Sequence, residues 1–90
     1  MKNKLEEARQ TINDIDSRMA ELFVQRMKAA ETVYEHKKEL GLPILDEKRE
    51  AEVIQKNSAL VNDDILKEYY IDYIKNLISV SRSYQYRLQY

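Results

Sequence analysis

One seam governs what this chain can become. Leu5, Ala8, Ile12, Ile15, Met19, Leu22, Arg26, Ala30, Val33 and Lys37 succeed one another in steps of three and four, with no Gly or Pro among them. That spacing is the stripe of a helix packed lengthwise against others, and it predicts a helix over about residues 4–38. At 1.5 Å per residue such a helix is a rod of about 50 Å. A globular chain of 90 residues has a radius of gyration near 12 Å by the usual scaling, about a quarter of that length. The rest of the chain cannot cover the rod, so it must project into a partner.

The remaining sequence offers little except more helix. One Gly, one Pro and no Trp leave few turn residues, and good helix formers fill most other positions. In "ELGLPILDEKRE", Gly41 can take the left-handed conformation that closes a helix, and Pro43 blocks its continuation. Asp46 then suits the N-cap of a second helix over about residues 47–57, with Glu47 and Glu50 in its first turn and Ala51, Val53 and Ile54 inward. "NSALVNDD" reads as a loop, and Asn62 or Asp63 caps a third helix over about residues 64–88. Its stripe runs Ile65, Leu66, Tyr69, Tyr70, Tyr73, Ile74, Leu77, Ile78, then Ser81, Tyr84, Gln85 and Leu88. The expectation is an all-α chain forming one domain over residues 1–90, with one long, one short and one medium-long helix, associating with a partner chain; the intertwined homodimer is what the resemblance described below implies. A chain this short buries only a modest fraction of its surface alone, which also favours association.

Charge and composition exclude several function classes. Fifteen basic residues against 16 acidic ones, well interspersed, give a net charge of -1 and no field to attract a nucleic acid. The N-terminus lacks the apolar run of a signal peptide and no segment reads as a membrane span, so a soluble, cytoplasmic protein without membrane partners is expected. With no cysteine there is neither disulfide framework nor thiolate chemistry.

What the seams contain besides apolar residues is more telling. Arg26 and Lys37 are 11 residues apart, so they differ by about 20° in direction and lie about 16 Å apart along one face. Ser81 and Gln85 interrupt the third helix one turn apart, and Arg49 and Glu50 follow the cap Asp46. A buried, unpaired cation costs several kcal/mol, so these groups need anionic company. Two readings supply it. Arg26 and Lys37 pair with neighbouring carboxylates such as Glu31 or extend to the surface, merely fixing helix register; or the counter-ion is a ligand with more than one carboxylate, which guanidinium groups are shaped to grip. Interruptions on three elements favour the second.

The same residues carry a family resemblance. "LEEARQTINDIDSRMAELFVQR", then "HK", then "LPILDEKRE", with a late Ser81 and Gln85, resembles the all-helical chorismate mutases, intertwined dimers that convert chorismate to prephenate in aromatic amino-acid biosynthesis. The resemblance spans essentially the whole chain and rests on Arg9, "INDID" at 12–16, Arg26, Lys37, "DEKRE" at 46–50, Ser81 and Gln85 in order. It implies that Arg26 and Arg49 bind substrate carboxylates in their own subunit and that Arg9 reaches into the other subunit's site. It further implies that Lys37 and Gln85 donate to the ether oxygen of the breaking bond. Glu50, with the backbone near Asp46, would hold the ring hydroxyl, and Ser81 would assist at a carboxylate. The chemistry agrees: a unimolecular pericyclic rearrangement calls for no metal or other cofactor, only a compact conformer of a flexible dianion and stabilisation of charge growing on the ether oxygen.

Two rivals use the same residues. An isochorismate pyruvate-lyase needs much the same cationic pocket. A non-catalytic helical dimerisation or regulatory module would use the buried charges only to set register. Other features read as structural. His36 points about 100° from Lys37 and reads as a solvated surface residue. The tyrosines, clustered from Tyr69 onward, are spaced for core and interface packing rather than for stacking bases. Asp16, two turns beyond Arg9, either orients it or forms a plain surface pair.

Overall fold

The computed structural model describes residues 3–90 and is helical throughout: α1 (Lys4–Leu40), α2 (Glu47–Ser58) and α3 (Asp64–Leu88), with no strand among the described residues. The ends fall where the capping chemistry places them. Asn3 caps α1 by accepting from the Glu6 amide at 2.8 Å, Asp46 caps α2 by accepting from the Arg49 amide at 3.0 Å, and Asp63 caps α3 by accepting from the amides of Ile65 and Leu66. Each satisfies amides that have no partner within the helix. At its far end α1 closes on Gly41 (φ 69°), whose N–H reaches the Lys38 carbonyl while the Leu42 N–H reaches the Lys37 carbonyl at 2.8 Å. This pair of bonds runs two residues past the expected stop, because Glu39 and Leu40 still hold helical geometry until a residue able to adopt positive φ arrives.

α3 packs against both α1 and α2, whereas the backbones of α1 and α2 do not approach each other. The core is correspondingly small: Ala30, Tyr34, Ile44, Ile74 and Ile78, joined by two buried polar residues, Ser81 and Gln85. Its members on α1, Ala30 and Tyr34, both lie in the second part of that helix. From residue 3 to residue 25 every described side chain is exposed, including Leu5, Ile12, Ile15, Met19 and Leu22, the last at 60%. The chain measures 58 × 28 × 15 Å with a radius of gyration of 16.6 Å, well beyond the value near 12 Å of a globule this size.

The structure departs from the pattern in detail. Ala51 faces solvent, with only Val53 and Ile54 partly covered, because α2 has a single neighbour and so buries a narrower face than the pattern suggests. Tyr69 and Tyr73 are exposed, Tyr73 stacking on the half-buried Tyr70 with ring centroids 6.0 Å apart. At the start of α3, Ile65 and Leu66 are exposed as well, so most of the stripe there is uncovered within the chain.

Candidate active site

Where α1 and α2 diverge above α3, they leave a cleft of about 300 Å³, a size that suits a small ligand. α1 contributes Arg26, Ala30, Val33 and Lys37; the link to α2 contributes Ile44 and Asp46; α2 contributes Arg49, Glu50 and Val53; and α3 contributes Ile78, Ser81, Arg82 and Gln85. Its walls are apolar residues of the helix seams, and its polar groups include the residues that interrupt those seams, Arg26, Lys37, Ser81 and Gln85. The helical geometry does the gathering: three turns of α1 separate Arg26 from Lys37, and one turn of α3 separates Ser81 from Gln85.

The two cations on α1 have neutral partners. Arg26 donates from Nη1 to the Ser81 hydroxyl, and Ser81 also lies 3.8 Å from the Met27 sulfur. Lys37 donates from Nζ to the Ile44 carbonyl at 2.8 Å. Among the described residues neither forms an ion pair with a carboxylate. Glu31, a possible counter-ion on sequence grounds, is engaged elsewhere, accepting from the Tyr84 hydroxyl and lying 3.8 Å from Lys28. Its carboxylate raises the Tyr84 pKa above the ordinary tyrosine value, chiefly through the hydrogen bond to the neutral phenol, with desolvation and charge adding.

The other groups complete the rim and the far wall. Arg49 is exposed on the rim, 4.0 Å from Glu52. Gln85 is 9% exposed, and its Oε1 is buried without a hydrogen-bond partner, a condition that costs about 1–3 kcal/mol if left unmet. Glu50 accepts from Arg82 Nη1 at 2.6 Å on each of its two oxygens. That hydrogen bond, opposed by desolvation and supported by the charge of Glu50, raises the Arg82 pKa further, so its guanidinium stays charged at any ordinary pH.

Of the residues singled out in the sequence, Arg26, Lys37, Asp46, Arg49, Glu50, Ser81 and Gln85 all line this one cleft. Arg9 does not; it sits on the exposed part of α1, about 26 Å along the helix axis from Arg26 at 1.5 Å per residue. Neither Arg9 nor Asp16 forms an ion pair among the described residues. Arg82 is a site residue that the pattern did not pick out. The signal was there, since it lies one turn beyond Ile78 and three residues before Gln85, on the inward face of α3. His36 lies on the surface, 3.4 Å from Glu39.

Four cations (Arg26, Lys37, Arg49, Arg82) against two carboxylates (Asp46, Glu50) give the cleft a formal charge of +2. Such a site can hold a small dianion, fold it against apolar walls, and stabilise negative charge that develops within it. Among the described residues no group of three or more His, Asp or Glu is gathered as metal ligands would be, and no helix is long and apolar enough to cross a membrane.

Comparison with curated proteins gave no match, and neither did comparison with solved structures. The family model for chorismate mutase type II does match, over residues 8–86, taking in all three helices and every residue of the cleft. The chain belongs to the chorismate mutase type II family.

Proposed function

We propose that the cleft between α1, α2 and α3 is where this isomerase rearranges chorismate to prephenate. The observation that carries the assignment is the state of Arg26 and Lys37: two cations on one face of α1, held by a hydroxyl and a backbone carbonyl rather than by carboxylates. A site arranged this way receives its negative charge from outside, and chorismate brings two carboxylates.

The rearrangement is intramolecular. A C–O bond to the ring breaks, a C–C bond forms between the enolpyruvyl side chain and the ring, and nothing is added or lost. The protein therefore acts by conformation and field. Arg26, steadied by Ser81, and Arg49 on the rim hold the carboxylates and press the side chain over the ring, which removes most of the entropy barrier to a compact conformer. As the C–O bond stretches, negative charge grows on the ether oxygen. Lys37 and Gln85 are the donors aimed at that charge, and because both are placed before reaction they need no reorganisation at the barrier. Glu50, beside the backbone at Asp46, accepts from the ring hydroxyl.

Arg9 is assigned to the site of a second copy. The exposed apolar face of residues 3–25 needs cover, and a homodimer in which two α1 helices pack along each other supplies it while carrying each Arg9 toward the partner cleft. Such a dimer has two equivalent sites, each built from both chains. The cytoplasm, where no disulfide is required, is the compartment this assignment implies.

The test is direct. Purified protein with a metal chelator present is expected to consume chorismate, followed by its ultraviolet absorbance, with prephenate appearing in equal amount. Release of pyruvate from isochorismate without prephenate formation would instead make the protein a lyase, and no conversion of either compound would make it a binding module.

A further inference from the structure

Arg82 touches nothing in the scheme above except Glu50, yet that contact is the closest charge pair between α2 and α3 among the described residues. One nitrogen, Nη1, lies 2.6 Å from both carboxylate oxygens, and the two side chains are only 30% and 26% exposed. The pair is long-range, 32 residues apart in sequence, so it is not a by-product of helical spacing. Arg49, next to Glu50 in the chain, turns instead toward Glu52 at 4.0 Å. Glu50 is thus left to a single cation on a different helix.

That arrangement has two consequences for a guest in the cleft. A carboxylate offers about four lone-pair sites; two face Nη1, which anchors the group on α3 and leaves the other two free for a hydroxyl. The guanidinium also cancels the charge of Glu50, without which an anionic acceptor inside an anion-binding cleft would repel the molecule it must hold. Removing Arg82 lowers the formal charge of the cleft from +2 to +1.

We propose that Arg82 is a positioning residue that fixes Glu50 as acceptor for the ring hydroxyl, so that the pair selects a hydroxylated ring dicarboxylate over one bearing hydrogen at that position. The proposal rests on the assignment of Glu50 above. It makes Arg82 a determinant of substrate choice that acts through another side chain and need not contact substrate.

Two non-rearranging ring dicarboxylates, identical except that one carries the hydroxyl and the other hydrogen, test this by calorimetric titration of the full chain, alongside chorismate turnover. For Arg82→Met both dianions should bind more weakly because the cleft loses a positive charge, and the hydroxylated ligand should lose about 10- to 100-fold more affinity than the hydrogen-bearing one, the scale of a charge-assisted hydrogen bond. In a Glu50→Gln background Arg82→Met should add no further selective loss. Arg82→Lys, which keeps the charge but carries it on a shorter side chain, should restore part of the selectivity and stands in if the methionine variant fails to fold. Equal weakening of both ligands, no weakening of either, or a selective loss that persists in the Glu50→Gln background would overturn the proposal. The two readings separate cleanly: a protein that discriminates the ligands through Arg82 but leaves chorismate unchanged refutes the mutase site and keeps the positioning pair.

Discussion

The two ends of α1 are built on the same repeat and meet opposite fates. Through residue 25 the seam is apolar and every described side chain on it is exposed; from Arg26 onward the seam contains two cations and is where the chain packs on itself. The apolar part is uncovered and the partly charged part is enclosed, the reverse of what hydropathy alone would assign. The difference teaches that burial within one chain is a poor guide to which seam is the true core. On the function proposed above, the uncovered part is a surface for another copy and the enclosed part a surface for a guest.

Breaking the enclosed part should have the largest effect. Lys37→Met is expected to lower turnover about 100- to 1,000-fold, or about 3–4 kcal/mol, as loss of one preorganised donor to a developing charge does, with little change in melting temperature. A comparable fall in melting temperature would instead make Lys37 a residue that holds the fold. Next in size is a test that joins the two parts. Arg9→Ala and Arg26→Ala proteins, each inactive, should regain up to about a quarter of their sites when unfolded and refolded together, since about half the dimers are mixed and each holds one intact site. Mixed dimers without recovered activity would place Arg9 outside the shared site.

Leu22→Glu sharpens the comparison from the uncovered side. It should shift the protein from dimer to monomer in sedimentation, at a cost of about 2–3 kcal/mol for charging a position meant to be covered, while the helix content of the chain stays high. An unchanged dimer would mean that residues 3–25 are not the interface. The smallest effect is expected at Tyr84→Phe, which removes the hydroxyl bond to Glu31 that joins α1 to α3. Because the Tyr84 pKa is raised in the folded chain, its contribution is complete below the ordinary tyrosine value of 10.0 and is lost as pH rises through the folded value. The small difference in melting temperature between the two proteins should therefore persist at neutral pH and vanish in strong alkali.

Much of this was legible in the chain because helices obey local rules. Gly41, Asp46 and Asp63 act within a few residues of where they stand, and each marks a helix end. Residues interrupting an apolar stripe were likewise visible, since a helix brings positions 11 or 4 apart onto one face. What could not be read was distance across elements. Spacing alone puts Arg82 on the inward face of α3, but its pairing with Glu50 shows only when α3 is laid beside α2. Ala51 looks inward until α2 proves to have one neighbour. Arg9 stands on the exposed part of α1, and no spacing within one chain says what meets it there.

On the proposed role of Lys37 as a donor to the substrate, its tether to the Ile44 carbonyl, 2.8 Å long, makes the short link after Gly41 a part of the chemistry. An ammonium has three protons, and this one commits a proton to backbone that Pro43 stiffens from one side and the Asp46 cap anchors from the other. The two protons left over are thereby aimed by a loop. Substitutions in that link can misdirect them and slow the reaction while every residue that touches the substrate remains unchanged.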